Sequence, residues 1–187
     1  MRLTVSLLAF VALAQTPSQK PAATGLEPAW DIAVVLGEIG NNADRIQPAL
    51  ERIDAKGWVA KGASDTYVAQ LDSSKQQARA AADEAKALTR NPEKLSASLE
   101  LFFRLEGLET MLTSIGEGTR KYQGPQPAQA LAEVYAEGGA NRERFRQYIV
   151  NLAAQREQQF EVMDREAQRC RATLMAPTPP KTTGRKK

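Results

Sequence analysis

Five groups of side chains in this 187-residue chain have the types and spacings that could carry chemistry. Met163, Cys170 and Met175 lie close together near the C-terminus, and Met111 could face them; thioether and thiolate ligands suit Cu(I). Met163 and Cys170 also fall on the apolar stripe of a helix, where methionine and cysteine are ordinary core fillers, and filling a core is the expectation. Arg156 stands on the same stripe. A charge there must be paired, with Glu106 or Glu109 on a facing helix as candidate partners of a register-fixing ion pair, or the arginine must snorkel to the edge; the alternative is an anion site inside a bundle. Arg142, Arg144 and Arg146 follow Gly138-Gly139, and their guanidinium forks suit carboxylate or phosphate. Trp58, flanked by Tyr67 across a connection, could stack a ligand, although a tryptophan in such a link more often plugs the end of a bundle. Glu157, Glu161, Asp164 and Arg165 fall at helical spacings that could pair carboxylates for acid–base work or a hard cation. Mixed signs on one helix read first as a solvated face.

What is missing narrows the chemistry further. The chain has no histidine. Ser-His-Asp and Cys-His catalysis, imidazole zinc sites, the Glu-x-x-His di-iron sites of many helical bundles and His-ligated haem therefore all lack their key ligand. The single cysteine cannot form an internal disulfide. No phosphate-binding loop is present, and no cofactor is implied. All 22 acidic residues lie between Glu27 and Glu166, whereas Arg2, Lys20, Lys181, Arg185, Lys186 and Lys187 lie outside residues 27–175. That body thus holds 19 basic against 22 acidic residues, a net −3, although the whole chain is +3. A nucleic-acid face needs basic clustering on the folded body, and none is expected.

The elements that must position these residues are helices. Met1-Arg2, the apolar run Leu3–Ala14 and the small-residue site Ala12-Leu13-Ala14 form the pattern of a secretory signal peptide over residues 1–14. The run is shorter than the roughly 20 residues of a spanning helix. Gln15, rather than cysteine, follows the cleavage site, which argues against a lipid anchor of the lipoprotein kind. Residues 15–27 read as a flexible leader and residues 176–187 as a disordered basic tail. The protein is thus expected to be periplasmic or secreted, with no transmembrane segment after cleavage.

Between them, residues 28–175 read as a helical bundle. Ile32, Val35, Ile39, Ala43, Ile46, Leu50 and Ile53 step by three and four, the spacing of one helix face. Pro48 predicts a kink or restart, and Gly57 an end. A second helix carries Tyr67/Val68, Leu71, Ala78, Ala81/Ala82, Ala85 and Leu88, with Ser64 or Asp65 as cap. Asn91-Pro92-Glu93 predicts a cap, a first-turn proline and a helix carrying Leu95, Leu99, Phe102, Leu105, Leu108, Leu112 and Ile115. A short helix follows over Pro127–Glu137. Asn141 then opens the longest, whose stripe of Phe145, Ile149, Leu152, Arg156, Phe160, Met163, Ala167, Cys170 and Leu174 approaches a coiled-coil heptad. Short links and one stripe per helix predict an all-α, elongated up-down-up-down four-helix bundle with one short extra helix.

GWVAKGASDTYVAQL (57–71) and GANRERFRQYIVNLAAQREQQFEVMDREAQRCR (139–171) resemble a family of exported, all-helical bacterial proteins with no assigned activity. The resemblance covers most of the mature chain, and it implies export and helices and carries over no ligand or catalytic residue. The repeated LTxxQ of exported stress chaperones and the CxxCH of bundle cytochromes are both absent. The expectation is a non-enzymatic exported bundle that binds a protein partner, the cell envelope or itself as a homo-oligomer. Arg142, Arg144, Arg146, Arg156 and Trp58 are its candidate binding surface, and the basic tail is a candidate contact with an anionic envelope surface. The alternative is a small-ligand or metal carrier, or an enzyme, with a site inside the bundle near Arg156, Met163 and Cys170.

Overall fold

The computed structural model describes residues 29–175. The expected signal peptide, leader and basic tail lie outside the described residues. The regular structure within them is all α-helix: α1 (Ala29–Glu51), α2 (Ala55–Val59), α3 (Thr66–Leu88), α4 (Leu95–Tyr122), α5 (Pro125–Glu137) and α6 (Gly139–Met175).

Two layers of core run end to end along the body. One joins Ile32, Leu36 and Ile39 of α1 to Ala81 and Ala85 of α3, Leu101 and Leu105 of α4, and Phe145, Ile149 and Leu152 of α6. The other joins Ile46, Leu50 and Ile53 to Trp58, Leu71, Leu108, Ile115 and Leu131. α1, α3 and α4 each contribute one end to each layer in alternating order, so they run antiparallel to one another in sequence. The alanine stripe Ala78, Ala81, Ala82 and Ala85 is wholly buried and lets α3 pack closely against α1. The fourth column is made of two pieces. α5 covers the layer around Trp58, and the first half of α6 covers the other. The body is a helical bundle, as the stripes predict, with its fourth column broken at Gly138.

Several local expectations are corrected. α1 runs without a restart through Pro48, which lies in its last turn on the exposed face, where a missing donor costs little. Gly57 does not end a segment; it lies in α2, where its N–H donates to the Asp54 carboxylate at 2.9 Å. Asn91-Pro92-Glu93 is a turn and not a cap: α4 begins at Leu95, and the buried Pro92 carbonyl accepts the Tyr148 hydroxyl at 3.1 Å. The buried face of the first turns of α4 is Ser98 and Leu101, while Leu99 is exposed and Phe102 partly so. α4 ends at Tyr122, as expected, and Gly124 just beyond its cap has a φ of +116°, which favours glycine. α5 starts at Pro125, two residues earlier than expected, and α6 starts at Gly139 rather than after an Asn141 cap.

The largest correction concerns α6. Its buried residues are Phe145, Tyr148, Ile149 and Leu152, and none follows. Arg156 reaches the α3–α4 turn, donating to the Glu93 carbonyl at 3.2 Å and its carboxylate at 3.4 Å. Beyond it the helix continues to Met175 as an arm of about 30 Å, at 1.5 Å per residue, that leaves the body.

Candidate functional site

The break between α5 and α6 frees carbonyls at the end of α5, and a buried polar knot satisfies them. Asn42, on α1 and only 4 % exposed, donates its amide to the Val134 carbonyl at 2.7 Å. Arg142 donates to the Tyr135 carbonyl at 3.0 Å and to the Asn42 side-chain oxygen at 3.3 Å. Its guanidinium also lies 3.7 Å from the centre of the Tyr135 ring, a stacked cation–π contact. The Tyr135 hydroxyl donates to Glu109 at 3.0 Å. Burial pushes the Tyr135 hydroxyl pKa far above the tyrosine range; Arg142 opposes this, and the bond to Glu109 adds to it. A cation at a helix C-terminus also complements the helix dipole, so Arg142 is a clamp that joins α5, α6 and α1. A shallow groove between α4 and α5, lined by Glu109, Leu112, Glu117, Arg120, Leu131 and Tyr135, runs beside it.

Arg146, four residues on, shares a shallow groove with Arg142, lined also by Glu106, Glu109 and Glu143, but does not join the clamp. Arg146 forms a two-pronged ion pair with Glu143, which holds the Glu143 carboxyl below the usual carboxylate range and raises Arg146. Arg144 is exposed, about 200° around the helix from both at 100° per residue. The three do not form one anion site. Arg156 is at the surface, paired with Glu93 and Gln159 rather than buried against Glu106 or Glu109.

Trp58 is not a surface residue. It is 1 % exposed, stacks on Tyr122, meets Tyr67 edge-on and donates to Gln123 at 3.3 Å. Gly118 makes room for it: a Cβ there would stand 2.8 Å from the indole. Gln123 also accepts the Asp54 N–H and donates to the Arg52 carbonyl, so the plug ties α4 to the α1–α2 link.

Met163 and Cys170 are corrected most. Neither fills a core, and there is no interior site around them with Arg156. Phe160 is 72 % exposed, Met163 70 % and Leu174 85 %, and Cys170 is exposed. Met111 lies midway along α4, off the arm. From Phe160 onward the heptad-like stripe lies on a part of α6 that buries none of its described side chains. Glu157, Glu161, Asp164 and Arg165 are exposed on that arm. Among the described residues, no cluster of three or more carboxylates and thiols is placed to hold a metal ion, and no helix is long and apolar enough to cross a membrane.

Asn42, Gln123 and Tyr148 went unmarked by sequence reasoning, and Glu93 was marked as part of a helix start rather than as the partner of Arg156. Asn42 carried a signal, because it sits three residues from Ile39 and four from Ile46 on the α1 stripe. A polar residue on a buried face needs partners. No protein-family model, curated protein or solved structure matches this chain.

Proposed function

We propose that this chain is a non-enzymatic, exported helical protein that acts by binding, and that the arm of α6 beyond Arg156 is its contact surface. One observation carries the reading: an amphipathic helix about 30 Å long presents Phe160, Met163 and Leu174 to solvent. Contiguous exposed apolar surface rimmed by charge is the mark of an interaction site. The body supplies the platform, because α6 is anchored in the core by Phe145, Ile149 and Leu152 and bracketed at Arg156. The chain's own N-terminal pattern supports export to the periplasm or the exterior, where partners rather than nucleotide cofactors are available.

A photo-crosslinking amino acid in place of Met163 tests the reading in cells that export the full chain. The expected result is an adduct heavier than the chain alone, absent when the probe replaces exposed Ser73 on α3. No adduct from position 163 refutes it.

A further inference from the structure

We propose that the partner of the arm is the same arm of a second copy, paired in parallel and in register as a two-stranded coiled coil; this rests on the binding reading above. The stripe sets the seam. Phe160, Ala167 and Leu174 occupy one core position of the heptad and Met163 and Cys170 the other, with steps of three, four, three and four residues. A period of 3.5 keeps such a seam facing one partner helix along its whole length, where an ordinary surface helix drifts away.

The flanking charges choose the orientation. In a parallel pair, each residue before one core position faces the residue five further on in the other chain. Glu166 of one chain then meets Arg171 of the other, twice by symmetry, and Gln159 meets Asp164 without a clash. In an antiparallel pair with the same seam, Phe160 lies opposite Cys170. Glu157 then meets Arg171, but Asp164 faces Asp164 and Glu166 faces Glu166 at the centre. Such like-charge contacts set orientation in coiled coils. Glu166 is engaged by Arg169 within its own arm at 3.0 Å, with both side chains mostly exposed, so an added contact with Arg171 across the seam requires little rearrangement. Arg156 would face its own copy in a parallel pair. Its bonds to Glu93 turn it onto its own body, so the pairing starts at Phe160.

Parallel register places Cys170 against Cys170. Oxidised glutathione then tests orientation by thiol–disulfide exchange: two Cys170 thiols become one disulfide, and glutathione disulfide is reduced to two glutathione thiols. In antiparallel register the two sulfurs sit ten residues apart along the axis, about 15 Å, too far to join.

Light scattering on the exported chain after signal-peptide removal should give the mass of two chains, falling to one on dilution. Met163→Glu should give one chain at every concentration with an unchanged melting curve in dilute protein, since Met163 is exposed. Glu166→Arg or Arg171→Glu should each weaken pairing on the order of tenfold, because two attractive contacts become repulsive, and the double swap should restore it. Glutathione disulfide should link the wild-type chains and not Met163→Glu. A single chain at all concentrations with the arm still helical overturns the proposal. So does a dimer that neither links through Cys170 nor responds to the charge swap. If crosslinking from position 163 instead captures a different protein or lipid, the binding role stands and the self-pairing is wrong.

Discussion

Phe145 and Phe160 are the same residue on the same helix, on the same stripe, and the structure gives them opposite energetics. Phe145 is 0 % exposed, among Ile32, Leu36, Leu101 and Leu105. Phe145→Ala removes the transfer free energy of a ring and leaves a cavity that four helices cannot fully close, costing about 3–5 kcal/mol. With a urea slope of about 2 kcal/mol per M, the unfolding midpoint falls by roughly 2 M. Phe160 is 72 % exposed, so Phe160→Ala in dilute protein stays within about 0.5 kcal/mol of wild type. The assay is urea unfolding followed by far-UV circular dichroism on both variants and the parent, in dilute and in concentrated protein. Self-pairing adds a second signature: the parent's midpoint rises with concentration by mass action, and Phe160→Ala flattens that rise while Phe145→Ala keeps it. A drop of about 1 M or more for Phe160→Ala in dilute protein, half the shift worked above for Phe145→Ala, refutes the reasoning, because it would mean that the arm is packed on the body.

Three further outcomes follow from the body. Asn42→Ala strips partners from the Val134 carbonyl and from Arg142 and should destabilise by about 1–3 kcal/mol, read as a lowered thermal midpoint; an unchanged midpoint means the knot is not structural. Gly118→Ala drives a methyl to 2.8 Å from the Trp58 ring and 3.0 Å from Tyr67, which should cost about 1–3 kcal/mol and alter the near-UV dichroism of the plug. Tyr135 holds its proton more tightly folded than unfolded, chiefly through burial. Its contribution is therefore intact below the unfolded tyrosine pKa of about 10 and is lost as pH rises beyond it. The urea midpoint of the parent should fall more steeply above that pH than that of Tyr135→Phe, and parallel curves would contradict the assignment.

The body was legible because three- and four-residue steps on α1 and α3 have one interpretation. Ile32 to Ile53 and Leu71 to Leu88 bury as their spacing requires. On α4 two stripes overlapped: Leu95, Leu99 and Phe102 compete with Ser98, Leu101 and Leu105, and the small hydroxyl won because it fits beneath the α3–α4 turn and bonds to the Pro92 and Lys94 carbonyls. Pro92 looked like a first helical residue, but its carbonyl is held by Tyr148, a tertiary contact that local propensity does not encode. The arm was misplaced for a different reason. Periodicity shows that a helix face is apolar and not where its partner resides, so Met163 and Cys170 read as core. Length was the available clue: α6 has 37 residues where α1 and α3 have 23 and α4 has 28, so no other described helix is long enough to cover it. The arginine group failed as a site because Arg144 points away from the face that Arg142 and Arg146 share, Glu143 engages Arg146, and the α5 terminus claims Arg142.

Hydrogen exchange read peptide by peptide along α6, in dilute and in concentrated protein, tests the central claim most directly. Residues 139–152 should be protected at both concentrations. Residues 157–175 should exchange fast when dilute and slow when concentrated, as the free face becomes covered. Equal protection of both halves in dilute protein, or fast exchange of the arm at every concentration, would contradict the account.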